Sequence, residues 1–510
     1  MKKYKLIVSS LSVITLALFS CTDFLDKQPT TQVASATFWK SSQDVDKAII
    51  GVYAPFRTVL FSSYAVTNSA IRVSPENECF SDNALTSITA SSGTYINIEQ
   101  GGTNASTGGV MSDFWRDSYK GIAAANYFLD NVDKAASLYS EAELNAKKAE
   151  AHFVRAFFYN SLVQLYGNVP VSLHSEQVGS GYDKLPRTKK ADVVKDVILP
   201  DVDFAIDNLP NTAYSGHAVK GSAVVLKMRV LLDNLRYAEA AKLGGDYIQG
   251  KAPYGTCPFK LYANYGGIFY KEQVNNPEII FSVMFSAPDD HHTLDQEIGS
   301  RMAVFPTPQL RDSYEQGDLR RKQTIFELGD YWINNDKTQT FNQDGNRAES
   351  TIPFTGMAFK KYVDTTVYVP VASTPSAQHI IKMRYADLLL MYAESMYESG
   401  QENDPNALAA VNLVRNRAGL PPLTELTREK IRNERRVELA FEELRYNDLL
   451  RWGIAEINIP QIVIDSNGKK RTFDGYVWPI PQTQMDIMQD WEQNPSNADY
   501  NYYKSISYLP

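Results

Sequence analysis

Apolar side chains recur at helical spacing along most of this chain. Val45, Ile49 and Val52 fall on one face of a predicted helix that runs from Ser42 to about Val59. Stripes of the same kind predict further helices at about 122–132, 151–165, 190–208, 219–235, 386–396, 404–418 and 427–451. Several of these helices come in pairs with alanine at packing positions, which favours tetratricopeptide-like hairpins. The pattern therefore predicts a mainly α-helical protein.

Two segments interrupt the helical pattern. Residues 72–112 are rich in Ser, Thr, Asn and Gly and predict a long loop region, whereas residues 250–375 predict irregular structure with a few strands. Helical blocks at about 113–245 and 376–455 lie beside these insertions, and residues 37–510 are interpreted as one domain. Loops on a rigid scaffold are where binding residues concentrate. The two insertions are therefore the expected ligand-binding half.

The first twenty residues have the features of a signal peptide. Lysines near the start precede an apolar run, residues 6–19, that is shorter than the ~20 residues needed to span a bilayer. The run ends in Leu-Phe-Ser-Cys at 18–21, which resembles the lipobox of bacterial lipoproteins. Cleavage before Cys21 and lipidation of its thiol are predicted, with residues 21–36 as a lipidated tether. The alternative is an ordinary secretory peptide whose cysteine is incidental.

Composition narrows the functional class. The 510 residues are 44% hydrophobic and 22% charged, which is typical of a globular protein. The net charge of −8 argues against general nucleic-acid binding. Besides Cys21, only Cys79 and Cys257 remain, either as a pair or as single thiols, and the six histidines lack metal-ligand spacing. No metal or other cofactor is expected. The 30 tyrosines suit sugar-like or peptide ligands, although most are expected to serve in packing.

One set of charged residues could be read as catalytic. Arg435, Glu438, Glu442 and Arg445 lie at i, i+3, i+7 and i+10 of the predicted last helix. Glu438 and Glu442 could form the acid and base of a glycoside hydrolase. However, each glutamate has an arginine within one turn, which favours ion pairing and a lowered glutamate pKa, the wrong direction for a general acid. The chain also lacks Gly-x-Ser-x-Gly, His-Glu-x-x-His and a phosphate-binding loop. A structural network is therefore favoured over an enzyme.

Ten short segments resemble SusD/RagB-family outer-membrane lipoproteins, in family order over nearly the whole chain. They are CTDFLD (21–26), NYFLDN (126–131), AEAHFVRA (149–156), YGNVP (166–170), RYADLLLMYAE (384–394), NLVRNRAGL (412–420), ERRVELAFE (434–442), RWG (451–453), WPIP (478–481) and QNP (493–495). Each segment alone is weak evidence for the family, but the ten segments together, in this order, are highly specific for it.

The resemblance implies a SusD-like fold, with tetratricopeptide-like hairpins and a less regular ligand-binding half. It also implies a lipid-anchored, cell-surface protein of the outer membrane that binds oligosaccharide without catalysis. Such a protein would deliver nutrient to a SusC-like TonB-dependent transporter. Three alternatives stay open at this point. They are a peptide-binding member of the same family, a surface glycoside hydrolase, and a structural surface protein without a small ligand.

Candidate ligand contacts come from the two insertions, because the matching segments are scaffold. Aromatic rings would stack on sugar faces, while Asn and Asp side chains would bind hydroxyl groups. The segment at 81–83 resembles a short family segment near the binding face. The predicted contacts are Asp82, Asn83, Tyr95, Asn97, Tyr265, Tyr270, Trp332 and Asn334. Trp332 is notable because polar residues surround it.

Overall fold

The fold is mainly α-helical, as the periodicity predicts. The computed structural model describes residues 38–60, 74–86, 93–175, 185–286, 292, 294, 304–333, 336–340, 355–362, 377–488 and 490–507. The helices are α1 Ser42–Tyr53, α2 Pro55–Leu60, α3 Gly93–Gln100, α4 Val110–Asn131, α5 Glu141–Tyr166, α6 Lys190–Val193, α7 Leu199–Asn208, α8 Lys220–Asp233, α9 Tyr237–Ile248, α10 Pro308–Asp312, α11 Leu319–Thr324, α12 Tyr385–Glu398, α13 Pro405–Arg417, α14 Arg428–Leu439, α15 Arg445–Arg451, α16 Ala455–Asn458, α17 Gln482–Ile487 and α18 Tyr500–Ser507. Short 3₁₀ or π turns are Ser74–Phe80, Val132–Leu138, Val194–Ile198, Gly266–Phe269, Lys271–Gln273 and Ile459–Gln461.

The long helices pack on one another in sequence order. Helix α4 contacts α5, α5 contacts α7, α7 contacts α8, α8 contacts α9, and α9 contacts α12, which also contacts α13 and α14. A capping box at Ser140 begins α5, and Gly167, with a positive φ of 69°, ends it. Helices α4 and α5 approach closely at Gly121, where a Cβ atom would lie 2.1 Å from the Phe158 ring. This packing buries the apolar stripes that the sequence shows.

Strands in the described residues form two-stranded antiparallel pairs. They are β1 Ala84–Thr86 with β5 Val304–Pro306, β2 Val169–Pro170 with β3 Arg187–Thr188, β4 Ile279–Val283 with β10 Ile380–Arg384, β6 Ile325–Glu327 with β9 Met357–Phe359, and β7 Tyr331–Ile333 with β8 Asp336–Thr340. In the β4–β10 pair, Val283 lies opposite Ile380. The chain therefore leaves the scaffold after β4 and returns to the same place at β10, with most of the second insertion between.

The predicted helix at 427–451 is wrong in one respect, because it is two helices. Helix α14 ends at Leu439 and α15 begins at Arg445. Between them Phe441 and Glu443 adopt left-handed backbone angles, with φ values of 65° and 64°. This conformation is rare for residues other than glycine. Glu442 lies in this turn and accepts a hydrogen bond from Arg384 at 2.6 Å.

The region at 72–112 has more regular structure than its composition predicts. It contains the 3₁₀ turn Ser74–Phe80, β1 and α3. The glycines at 101, 102, 108 and 109 all have positive φ, as expected for a loop that turns sharply. Among the residues that the structure describes here, 101–109 form an irregular stretch between α3 and α4.

The predicted anchor at Cys21 lies outside the described residues. Within the part of the chain that the structure describes, no helix is long and apolar enough to cross a membrane. Cys79 is buried, and Cys257 has a free thiol, so these two cysteines do not form a disulfide bond.

Candidate ligand-binding site

A buried network of ion pairs joins helix α14 to the end of β10. The Arg384 side chain is fully buried, and its guanidinium lies 2.8 Å from Glu278, 2.5 Å from Glu438 and 2.6 Å from Glu442. Arg417 pairs with Glu278 and Glu438 from the C-terminal end of α13. Each buried carboxylate therefore has a guanidinium partner, which is the condition for tolerating buried charge.

The second insertion supplies two further cations to this network. Arg320, in α11, lies 2.6 Å from Glu434 and 2.9 Å from Glu438, and is fully buried. The Lys361 ammonium group, which follows β9, lies 2.5 Å from Glu442. The loop-rich half is thus held to the scaffold through charges as well as apolar contacts.

The network confirms the structural interpretation of Glu438 and Glu442. Burial alone would raise the pKa of Glu438, but the Arg417, Arg384 and Arg320 guanidiniums outweigh burial and hold this pKa well below its usual range. A carboxyl group in this setting has no proton to donate. The pairing partners differ from those predicted by spacing, since Arg435 pairs with Asp387 and Asp448 instead.

Asp82 and Asn83 were predicted as ligand contacts, and the structure places both in the interior. Asp82 accepts hydrogen bonds from Arg445 at 2.7 and 2.9 Å, and Asn83 bonds to Glu78 and Arg436. Both side chains are buried. Asp82 is thus the hydrogen-bonded carboxylate partner of the buried Arg445 guanidinium. The two residues therefore act as scaffold in this structure, and their side chains do not face a ligand.

Tyr265 is also an interior residue. Its ring is buried against Lys361 and Arg417, and its hydroxyl donates to the Glu438 carbonyl oxygen at 2.9 Å. The prediction of an exposed stacking platform at this position is therefore corrected. Tyr270, five residues on, is half-buried at the end of a 3₁₀ turn and stays a candidate contact.

The other predicted contacts fall in the two insertions. Asn97 is exposed on α3, and Tyr95 lies two residues earlier in the same helix. Trp332 is the central residue of β7, in the β7–β8 hairpin, and Asn334 lies outside the described residues. Of the predicted residues whose side chains the structure describes, Asp82, Asn83 and Tyr265 are buried, whereas Asn97 is exposed and Tyr270 is half-buried. Asn97, Tyr95, Tyr270, Trp332 and Asn334 remain predictions.

Residues near the C-terminus hold α3 in place, and the sequence did not indicate them. Asp474 accepts hydrogen bonds from the backbone N–H groups of Gly102 and Thr103, at 3.1 and 2.8 Å. Glu99 is buried and accepts from the Thr86 N–H at 2.6 Å. Burial raises the pKa of Glu99 to about 8, although Arg471 and the Thr86 N–H oppose the shift. The helix that carries Asn97 is therefore fixed at its C-terminal turn.

Possible metal ligands are dispersed over the residues that the structure describes. His152 lies 2.5 Å from Asp201, and His217 lies 2.7 Å from Glu150. No group of three or more His, Cys, Asp or Glu side chains in these parts of the chain is arranged to hold a metal ion. Each of these two histidines contacts one carboxylate, which is too few ligands for a metal site.

Comparison with known proteins agrees with this architecture. The family model described as "SusD family" matches residues 308–500, and the model described as "Starch-binding associating with outer membrane" matches residues 23–232. A relative named SusD-like protein P2, from Formosa agariphila, is 26% identical over 548 residues and covers 98% of this chain and 100% of its own. The chain belongs to the SusD/RagB family.

Solved structures show the same fold. A SusD-like carbohydrate-binding protein from Bacteroides fragilis is 25% identical, with a TM-score of 0.73 over 88% of this chain and 99% of its own. A laminarin-binding SusD-like protein is 22% identical, with a TM-score of 0.71 over 89% of this chain and 99% of its own. These similarities confirm the SusD-like fold class and the family resemblance drawn from the sequence segments.

Proposed function

We propose that this protein is a non-enzymatic, cell-surface lipoprotein that binds oligosaccharide and delivers it to a SusC-like TonB-dependent transporter. The observation that carries the proposal is the likeness, over nearly the full chain, to the carbohydrate-binding protein from Bacteroides fragilis. The "starch-binding" description of the matching family model supports the same ligand class. The buried, ion-paired state of Glu438 and Glu442 supports binding over hydrolysis by that pair.

The ligand would bind at the loop-rich half. Asn97 is exposed there on a helix fixed by Asp474, and Trp332 lies in the β7–β8 hairpin. A flat indole ring stacks on the apolar face of a sugar, and an amide group bonds its hydroxyls. Water remains at such an open site, so that binding is weak and handover is easy.

Changing Trp332 to Ala is expected to abolish retention of the protein in affinity gels that contain its polysaccharide. The indole ring would supply the stacking surface, worth roughly 2 kcal/mol or more, and thus at least a tenfold loss of affinity. Starch and laminarin are the first polysaccharides to test, followed by a wider panel.

Tyr127→Ala is the matched control for this variant. Tyr127 is an aromatic residue of α4 that is 47% exposed on the helical half. Its loss should leave retention unchanged. Equal retention of the Trp332→Ala variant and the parent would remove Trp332 from the proposed site.

A peptide ligand is the main competing function. Titration calorimetry with a glycan pool and a peptide pool separates the two, since heat should appear with one pool only. Binding heat with the peptide pool alone would show that the ligand is a peptide and not an oligosaccharide. Release of sugars from a polysaccharide, lost in Glu438→Gln, would instead establish a hydrolase.

Changing Cys21 to Ser is expected to release the mature protein from the membrane fraction, because the lipid on Cys21 is the proposed anchor. Immunoblots of separated membrane and soluble fractions measure this. In the parent strain, added protease should digest the protein on intact cells. Ser20→Ala, which keeps a small residue before the cysteine, should remain membrane-bound. Membrane retention of the Cys21→Ser variant would rule out the lipid as the anchor.

A further inference from the structure

A cavity with both polar and apolar walls lies between the helical half and helix α15. Its volume is about 140 Å³, and its walls come from α4, α5, α8, α12, β10 and α15. Phe157, Asn160, Tyr446 and Asn447 are half-buried at its edge, which leaves the cavity open to solvent. The space holds several water molecules, or one solute the size of a sugar ring. The five predicted contacts whose side chains the structure describes, Asp82, Asn83, Asn97, Tyr265 and Tyr270, do not line it.

Several lining groups have unused hydrogen-bonding capacity. The Asn160 side-chain oxygen is buried and has no partner. Asp233, which is 6% exposed, accepts one side-chain hydrogen bond, from Gln164. The Arg229 guanidinium bonds to Asp387 and the Lys382 carbonyl through Nε and Nη2, which leaves Nη1 for another partner. Buried polar groups in native proteins usually have partners, so groups of this kind point to an occupant of the cavity.

The balance of charge indicates what the occupant is. The cationic groups of the lining are Arg229, Lys382, Arg435 and Arg451, and the acidic ones are Asp233, Glu442, Glu443 and Asp448. Most of these charges pair with each other, as Arg435 does with Asp448 and Lys382 with Glu443. Neither an anion nor a cation is favoured by a lining whose charges cancel.

The remaining donors and acceptors suit hydroxyl groups. Asn160 and Asn447 each offer an amide, Arg229 offers a donor, and the Asp233 carboxyl offers an acceptor. A hydroxyl group both donates and accepts, so that a molecule with several hydroxyls can satisfy all four. Phe157 and Tyr446 add aromatic surface at the edge, against which the carbon side of such a molecule can pack.

We propose that this cavity is a binding site for one small neutral polyol, such as a monosaccharide or glycerol, separate from the oligosaccharide site of the loops. Asn160 and Asn447 would be its main hydrogen-bonding residues. The inference does not rest on the proposed function, because it uses none of the loop residues.

Saturation-transfer NMR on the full mature chain tests this site, with glucose and glycerol as neutral probes and acetate and methylammonium as charged ones. The neutral probes should show transfer and the charged probes should not. Asn160→Ala and Asn447→Ala are each expected to weaken binding of the neutral probe at least tenfold. Asn145→Ala, a change on the same helix α5 but outside the cavity lining, is the matched control and should have no effect.

Folding of the variants can be checked by thermal unfolding. Asn160→Ala removes a buried oxygen that has no partner, so its melting temperature should be equal to or above that of the parent. If Asn160→Ala should not fold, Asn447→Ala alone decides the result.

Three outcomes would overturn the site. They are no transfer to either neutral probe, equal transfer to charged probes, and transfer that Trp332→Ala abolishes but Asn160→Ala and Asn447→Ala leave unchanged. The last outcome would place the monosaccharide at the loops and would support the proposed function while excluding this site. The reverse result is a Trp332→Ala variant that loses oligosaccharide retention but still binds the neutral probe in the cavity. It would support both the oligosaccharide site of the loops and the separate cavity site.

Discussion

Replacing Arg384 with methionine is expected to lower the free energy of unfolding by about 3–5 kcal/mol. The methionine keeps most of the side-chain volume, but Glu278, Glu438 and Glu442 lose the guanidinium that contacts all three. Each of the three carboxylates keeps another cationic partner, which is Arg417, Arg320 or Lys361. The variant is still destabilised, because the remaining charge attraction no longer offsets the desolvation of all three buried carboxylates. Urea unfolding followed by circular dichroism measures the loss.

Arg311→Met is the control for this substitution. Arg311 forms its ion pair with Asp312 at 2.7 Å on the surface, where the two side chains are 35% and 64% accessible to solvent. Such pairs contribute less than about 1 kcal/mol. A loss in Arg384→Met no larger than in Arg311→Met would show that the buried network is not needed for stability.

Replacing Glu99 with glutamine is expected to make the protein progressively more stable than the parent as the pH rises from 5 to 9. The pKa of about 8 in the folded protein lies above the value of about 4.3 in an unfolded chain. Between these values the folded state binds a proton that the unfolded state lacks, so the contribution of Glu99 to stability falls as the pH rises. The fall amounts to roughly 3–5 kcal/mol and levels off above pH 8.

Glutamine at this position stays neutral and keeps an acceptor for the Thr86 N–H. The quantity to measure is the difference in unfolding free energy between variant and parent, at pH 5 and at pH 9. A constant difference across this range would show that Glu99 is ionised throughout.

Asp82→Asn is expected to show the opposite dependence of stability on pH. Burial alone would raise the pKa of Asp82, but the Arg445 and Arg436 guanidiniums outweigh it and hold this pKa below its ordinary value. The contribution of Asp82 to stability is therefore present above about pH 4 and is lost as the pH falls through the lowered pKa. The variant should be less stable than the parent at pH 7, and the gap should narrow in acid.

The helical scaffold could be predicted because its signal is local. Val45, Ile49 and Val52 repeat at helical spacing, and all three are buried as the spacing implies. The first predicted helix, Ser42 to about Val59, is two helices in the structure, because Pro55 at the start of α2 has no N–H group to continue the bonding of α1. Such signals depend on residues a few positions apart, so they can be recognised in a single sequence without knowledge of distant contacts.

The errors arise where distant residues decide the structure. The polar composition around Asp82 predicts a surface loop, but its partner Arg445 lies 363 positions away. Glu442, in the turn between α14 and α15, pairs with Arg384, which lies 58 positions away. The cavity was missed for the same reason, since Asn160, Arg229 and Asn447 come from three separate helices.

In the antiparallel pair of β4 and β10, Val283 and Ile380 lie opposite each other. The chain between them, residues 284–379, therefore begins and ends at one place on the scaffold, and we call it the cassette. Charged side chains of the cassette, however, form ion pairs with the scaffold. Arg320 and Lys361 come from this cassette and neutralise glutamates of the scaffold. A chimera that exchanges the cassette with that of a relative must therefore bring a matching guanidinium and ammonium group. An exchanged cassette can therefore fold onto this scaffold only together with the counter-ions of the scaffold's own acids.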